Sequence, residues 1–254
     1  MENSFVGKCV MVTGATSGIG RAVARAFRSN GARVAAVGRN EVALNELYAA
    51  DGNEALRIPA DVTDVDVSRR VVADVIRTFG RLDVLVNAAG HISTGTIENT
   101  DLVAWDALMN VNLRAPFQLM QLCVPHLIET NGNIVNISSV TGLRSFPGVL
   151  AYCVSKAALD QLTRCAALEL AAKKVRVNAV NPGVVVTDIH KRGGMDEKAY
   201  IEFLEHSRTT HPLGRVGNPS EIADLVLFLA SEKASWITGA TYSIDGGRAL
   251  TCAR

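Results

Sequence analysis

The sequence predicts an α/β fold: a doubly wound, mostly parallel seven-stranded sheet with helices on both faces, forming a single domain over residues 1–254. Three observations lead there. Apolar strand-like runs alternate with helical stretches along the whole chain. Most of those runs are rich in Val and Ile without clean polar alternation, as strands buried on both faces must be. A glycine-rich turn joins the first run directly to the first helical stretch. With 254 residues, 48% of them hydrophobic, the chain can bury a full core, and no Pro-, Ser- or charge-rich linker divides it.

The first strand is expected at Cys9 to Thr13 and the first helix at Gly18 to Ser29, joined by Thr13-Gly14-Ala15-Thr16-Ser17-Gly18-Ile19-Gly20. Glycines there permit a tight turn and close backbone approach, and the unpaired N–H groups of a helix start attract a pyrophosphate. The spacing is Gly-x-x-x-Gly-x-Gly rather than Gly-x-Gly-x-x-Gly, so its place between strand and helix carries the signal; a turn kept for packing is the alternative. The second strand, Arg33 to Val37, runs into Gly38, Arg39 and Asn40. No acid stands there to bond a ribose 2′-hydroxyl, whereas Arg39 suits a 2′-phosphate and Gly38 leaves it room. NADP(H) is therefore the expected cofactor, with NAD(H) as the alternative.

The third strand is placed at Glu54 to Ile58, followed by Asp61 and Val62; Asp61 could accept from an adenine amino group or cap the helix Val65 to Phe79. Leu82 to Val86 forms the fourth strand, and a long helix runs from Leu102 to His126. Gly132 to Ile137, the fifth strand, leads to Ser138 and Ser139, and the next helix spans Tyr152 to Ala172. Beyond the sixth strand, Val175 to Val180, residues 188–212 form an insertion with Gly193-Gly194 and a helix from Asp196 to Ser207, either a substrate loop at the ligand edge or a surface excursion. A helix at Ser220 to Leu229 and a strand at Ala240 to Ile244 complete the order. Ligands of such a sheet bind beyond the carboxyl ends of the strands.

Tyr152 and Lys156 are four residues apart, about one helical turn, so phenol and ammonium share a face. A tyrosine titrates near about 10, and a neighbouring cation favours the phenolate. Alone, Tyr-x-x-x-Lys describes many surface pairs. Here it stands thirteen residues after Ser139, in a chain opening with a glycine-rich turn.

With Thr13-Gly14 to Gly20, Asp61-Val62, Val86 to Gly90, Asn112, Ser139, Tyr152 with Lys156, Asn181-Pro182-Gly183 with Thr187, and Asp245-Gly246-Gly247, the chain resembles the short-chain dehydrogenase/reductase family over essentially its whole length. Where that family usually has Asn-Asn-Ala-Gly, this chain has Asn87-Ala88-Ala89-Gly90, retaining the first amide. The resemblance implies a Rossmann-type fold and an oxidoreductase interconverting a ketone and a secondary alcohol. It implies Tyr152 as general acid and base, Lys156 lowering its pKa and holding the nicotinamide ribose, and Ser139, rather than the adjacent Ser138, polarising the substrate oxygen. Asn112, with Asn110 as its nearest confounder, matches the asparagine that bends its helix and positions a water for proton relay. The cofactor would meet Gly14, Thr16, Ser17, Gly18, Ile19, Gly20, Gly38, Arg39, Asn40, Asp61, Val62, Asn87, Ala88, Ala89, Gly90, Tyr152 and Lys156, and its carboxamide end Pro182, Gly183, Val185 and Thr187. The chemistry agrees: hydride transfer to a carbonyl leaves an alkoxide that needs a proton donor and a second hydrogen bond.

Val140, Leu143, Phe146, Pro147 and Val149 favour an apolar pocket, and a steroid-like carbonyl compound or a 3-oxoacyl thioester is the expected substrate. A catalytically silent nucleotide sensor or scaffold is the contrasting reading, against which the complete Asn, Ser, Tyr and Lys set weighs. Lys and Arg number 26 against 25 acids, which gives no broad field for nucleic acid or an anionic membrane. Cys9, Cys123, Cys153, Cys165 and Cys252 are scattered, and the five histidines lack ligand spacing, so neither a disulfide framework nor a metal site is expected. Cys153 reads as a buried small hydrophobe, and His190-Lys191-Arg192 as a solvated loop unless an acidic substrate group meets it. No signal-peptide core or membrane-length run is present, so a cytoplasmic location is expected. The stripe Leu159, Leu162, Ala166 and Leu170 suits core or subunit contact, and the resemblance implies a homotetramer or homodimer.

Overall fold

The protein is described here from a computed structural model covering residues 4–47 and 55–251. Strands Cys9–Thr13 (β1), Arg33–Gly38 (β2), Ala55–Pro59 (β3), Val84–Asn87 (β4), Asn133–Ile137 (β5), Arg176–Pro182 (β6) and Thr241–Ile244 (β7) form one sheet in the order β3-β2-β1-β4-β5-β6-β7. Every pairing is parallel, in keeping with the doubly wound, mostly parallel seven-stranded sheet expected from the sequence. Glu54, the expected first residue of the third strand, lies outside the described residues. The chain winds outward from β1 to β3 and then returns to β4, so the crevice between β1 and β4 is the switch point where such sheets bind ligands.

The strands show why their sequences lack polar alternation. Val10, Val12, Val34, Ala36, Val84 and Val86 pack into one core layer, while Cys9, Met11, Ala35, Val37 and Leu85 pack into the other. Successive side chains point to opposite faces, and both faces are covered. Helices Gly18–Ser29 (α1) and Pro219–Ala230 (α9) cover the first, through Val23, Phe27, Ile222 and Val226. On the other lie Val65–Phe79 (α3), Ala115–Thr130 (α5) and Leu150–Leu170 (α6), through Val71, Val75, Leu119, Cys123 and Ala167.

Two helical expectations are corrected. Glu41–Leu47 forms a helix (α2) beyond those expected from the sequence, and Asn40 begins it, its Oδ1 accepting from the Ala43 N–H at 3.1 Å. The expected helix Leu102 to His126 is interrupted: Leu102–Met109 (α4) passes into a π-helical turn at Asn110–Arg114, where the Ala115 N–H reaches back five residues to the Asn110 carbonyl, before α5 begins. The insertion carries a short helix, Ile189–Arg192 (α7), and Glu197–Thr210 (α8), the latter capped by Asp196 accepting from Ala199 N–H at 2.8 Å. No helix among the described residues is long and apolar enough to cross a membrane.

Candidate active site

The carboxyl ends of the strands enclose a cavity of about 900 Å³. Its nucleotide end is built on Gly14, whose φ of +66° and whose added Cβ, 2.7 Å from the Ala88 carbonyl oxygen, leave room for hydrogen alone. The neighbouring Thr13 hydroxyl accepts from the N–H groups of Ala88 and Ala89, both at 3.1 Å, locking the turn after β1 to the turn after β4. At the start of α1, Ser17 makes no side-chain cap bond and no acid occupies the first turn. The starts of α3, α4 and α8, by contrast, are capped by Asp64, Asp101 and Asp196. The first N–H groups of α1, which borders the cavity through Gly18, Ile19 and Gly20, are thus left for an anion, and the turn fits a dinucleotide pyrophosphate.

Beyond it, a Cβ on Gly38 would stand 2.6 Å from the Thr16 methyl. The Arg39 side chain is 77% exposed at the cavity rim, with Nη1 4.0 Å from Asp61. Asp61 is not the helix cap, since Asp64 takes that role. Burial pushes the Asp61 carboxyl upward, but hydrogen bonds from the Thr63 N–H and hydroxyl, at 3.0 and 2.7 Å, and the charge of Arg39 outweigh it and hold the carboxyl below its ordinary range. Val62 joins this wall. Asn40 and Asn87 do not line the cavity: the first caps α2, and the second donates to Asn136 Oδ1 at 2.9 Å within the sheet.

At the other end α6 presents Tyr152 and Lys156 to the cavity, facing Ser139. Ser139 Oγ accepts from the Thr141 N–H at 3.1 Å, while Ser138 is a buried hydroxyl donating to the Lys156 carbonyl at 3.2 Å. Lys156 Nζ donates to the Ile137 carbonyl at 2.8 Å and lies 5.6 Å from the centre of the Tyr152 ring. Burial pushes the Lys156 ammonium down to about 8, against the opposing charge of Asp160. The expected downward pull on Tyr152 is corrected: burial dominates and pushes the phenol up to about 12, with the Ser139 hydroxyl opposing it.

Asn112 is fully buried behind this wall rather than on it. Its Oδ1 accepts from the His91 N–H at 2.9 Å, and its Nδ2 donates to the His91 carbonyl and to Ser155 Oγ, at 2.9 and 3.0 Å. A Cβ on Gly90 would sit 3.5 Å from Asn112 Oδ1 and 3.7 Å from Lys156 Nζ, so the two side chains approach one another across that glycine. Ala88, Ala89, Pro182, Gly183, Val185 and Thr187 complete the wall beside the nucleotide end.

Four residues carry structural weight that the sequence did not reveal. His211 is buried, its Nδ1–H donating to the Ser207 carbonyl at 2.6 Å while Nε2 accepts from the Val184 N–H at 3.1 Å, which fixes the ring's orientation beneath the turn after β6. Asp160 lies buried one turn beyond Lys156. Arg192, expected in a solvated loop, instead donates from α7 to Ser17 Oγ at 2.5 Å, across the cavity mouth. Arg248 lines the same cavity. Of Arg192's neighbours, Lys191 pairs with Glu197 at 2.7 Å and His190 packs on Phe203. Cys153 is half-buried, its thiol 3.9 Å from the Phe146 carbonyl, rather than a core residue.

A protein-family model described as Enoyl-(Acyl carrier protein) reductase matches residues 14–249. The chain is 40% identical over 249 residues to the 3-oxoacyl-[acyl-carrier-protein] reductase FabG of Thermotoga maritima, spanning 95% of this chain and 97% of that protein. It is 37% identical over 251 residues to the 2,5-dichloro-2,5-cyclohexadiene-1,4-diol dehydrogenase LinX of Sphingobium indicum, spanning 97% and 98%. Among solved structures, a short-chain dehydrogenase/reductase of unknown function from Caenorhabditis elegans, with cofactor, superposes with a TM-score of 0.93 at 35% identity, covering 98% of each chain. The ligand-free aldohexose dehydrogenase of Thermoplasma acidophilum gives a TM-score of 0.91 at 32% identity, covering 100% of this chain and 98% of that one. The chain belongs to the short-chain dehydrogenase/reductase family and is an NAD(P)-dependent oxidoreductase acting on carbonyl and alcohol groups.

Proposed function

We propose that this enzyme uses NADP(H) to interconvert a ketone and a secondary alcohol, on an apolar carbonyl compound of steroid-like bulk or on a 3-oxoacyl thioester. The observation that carries this reading is the convergence of Tyr152, Lys156 and Ser139 on the same cavity as the uncapped start of α1. When bound, the nicotinamide supplies or accepts the hydride. Tyr152 gives its proton to the substrate oxygen in reduction and takes it back in oxidation, while the Ser139 hydroxyl makes the second hydrogen bond to that oxygen. Lys156, anchored on the Ile137 carbonyl, holds the nicotinamide ribose and keeps positive charge beside the phenol. Asn112 holds His91 and Ser155, in the second turn of α6, in register from the π-helical turn, and a water relays the proton from Lys156.

Arg39, with Gly38 before it and no acid at the end of β2, supports the choice of NADP(H). Phe146, Val149, Ile92 and Phe203 on the cavity wall support an apolar substrate. Residues 188–212 serve as the substrate loop. A cytoplasmic homotetramer, or homodimer, completes the proposal, with Phe117 and Leu168 exposed on α5 and α6 as candidate contact residues.

The test is titration with NADPH and NADH, followed by loss of the reduced-nicotinamide absorbance against steroid ketones, simple diketones and an acetoacetyl thioester. Turnover that depends on NADPH supports the reading. Preference for NADH would overturn the cofactor assignment, and cofactor binding without turnover of any ketone would overturn the substrate classes.

A further inference from the structure

The substrate end of the cavity holds a cation for which proton and hydride transfer have no use. Arg248, in the turn Arg248–Leu250 after β7, lines the same cavity as Ser139 and Tyr152. Its guanidinium lies 5.1 Å from the centre of the Phe146 ring, and its Nη1 donates to the Thr210 carbonyl at 3.2 Å. Phe146 belongs to the loop between Ser139 and Tyr152, and Thr210 ends α8, so Arg248 stands where the serine loop, the insertion and the last turn meet.

Beside it, Arg144 donates to the carbonyls of Ala249 and Thr251. Among the described residues, neither guanidinium forms an ion pair with a carboxylate. Asp61, the one acid among the described residues of the cavity wall, is engaged with Arg39 at the nucleotide end. Other basic groups of the wall are committed: Lys156 to the Ile137 carbonyl, Arg192 to Ser17, and His190 against Phe203, where burial lowers its pKa. Burial and, after it, Arg144 disfavour the charge on Arg248, yet a guanidinium stays protonated. An anion arriving there would relieve that cost. The planar fork suits a carboxylate, and the ring beneath it offers an apolar face to the carbon chain carrying one.

We propose that Arg248 binds a carboxylate on the substrate, so that the ketone presented to Tyr152 and Ser139 belongs to an apolar oxo acid and the alcohol to the matching hydroxy acid. This rests on the ketone–alcohol reading above and narrows it, because a neutral steroid ketone offers nothing to the guanidinium.

The test separates binding from turnover. In the first arm, the protein with bound NADPH is titrated with 4-phenylbutanoate and with the neutral 4-phenylbutanamide, read by calorimetry, in the natural protein and in Arg248→Met and Arg248→Lys. A charge-assisted contact predicts that the acid binds roughly 10- to 100-fold tighter than the amide, that Arg248→Met erases the preference and that Arg248→Lys retains part of it. Equal binding of acid and amide, no binding of the acid, or a preference that survives Arg248→Met overturns the proposal. NADPH affinity monitors the fold, and if Arg248→Met loses it, Arg248→Lys carries the comparison by a reduced preference.

In the second arm, kcat/KM is compared for 4-oxo-4-phenylbutanoate and its methyl ester. Preference for the acid that falls in the variants supports the proposal. Better turnover of the ester overturns the carboxylate site and leaves the ketone reductase standing. An Arg248-dependent acid preference in binding, with neither compound turned over, upholds the site and counts against the activity.

Discussion

Asn181 donates to the carboxylate of Asp160 at 2.8 Å and, with its other hydrogen, to the Ser139 carbonyl at 2.9 Å. The helix bearing Tyr152 and Lys156 is thereby tied to the serine turn and to the end of β6, just before Pro182. Burial raises the Asp160 pKa, with Ser138, Asn181 and nearby cations opposing it. A carboxyl with a raised folded pKa contributes most to stability below its unfolded value of about 4, and that contribution fades as pH climbs through the folded value. Asp160→Asn keeps an acceptor for Asn181 and removes the titration. Urea midpoints at pH 4 and pH 7 should therefore fall with rising pH in the natural protein relative to Asp160→Asn; parallel midpoints would refute the assignment.

Tyr152→Phe removes the transferable proton and leaves the ring. Turnover should drop by about 10² to 10⁴, the usual worth of general acid–base catalysis, while dinucleotide affinity is retained. With the phenol at about 12, oxidation of the alcohol, which needs phenolate, should accelerate as pH rises from neutrality. A pH-independent oxidation rate would point to another base.

Arg39→Ala tests the nucleotide end. Loss of a charge-assisted contact to a 2′-phosphate should weaken NADPH roughly 10- to 100-fold and leave NADH nearly unaffected, as read by fluorescence titration. Equal weakening of both would remove Arg39 as a phosphate ligand.

His211→Leu leaves the half-buried Val184 N–H without its ring partner, while the Ser207 carbonyl keeps the Thr210 hydroxyl at 3.1 Å and the His211 N–H at 3.2 Å. The orphaned N–H costs about 1–3 kcal/mol, and because Val184 follows Pro182 and Gly183, cofactor affinity should fall along with the urea midpoint. A stability loss with unchanged cofactor affinity would show that the turn keeps its shape unaided.

Glu221 accepts twice from Arg215, at 2.6 and 2.9 Å, and once from the Asn218 N–H at 2.8 Å, and these bonds push its carboxyl down to about 2. Its depressed pKa contributes stability above the ordinary value near 4.5 that is lost as pH falls toward 2. Because both side chains are more than a third exposed, the discounted contribution is about 1 kcal/mol. Glu221→Gln should cost that much at pH 7, measured by urea unfolding, and nothing near pH 2.

The sheet was legible because two-sided burial leaves its mark on its strands: the apolar residues of β1, β2 and β4 divide by alternate positions between the two core layers. The glycine turn was legible because steric demand at Gly14 admits one residue type. What escaped the sequence were partnerships set by tertiary approach. Asn40 and Asn87 look equally suited to a ligand, and only the placement of α2 and Asn136 commits them elsewhere. Arg192 and Arg248 read as ordinary charges until the insertion and the last turn fold over the cavity. The Tyr152 pKa escaped for the same reason, since burial, which reverses the shift expected from Lys156, has no local signature.

The π-helical turn at Asn110–Arg114 makes this part of the chain intolerant of changes in length. It holds one residue more than an α-helical turn would, and the placement of Asn112 depends on that extra residue. Deleting a single residue there would let one uniform α-helix run through the segment, the bulge absorbing the change while α5 keeps its core-facing side. Asn112, seated in the bulge, would lose its place behind Gly90 and its bonds to the His91 backbone. Homologous sequences aligned across this segment should therefore vary in composition while sharing one residue count.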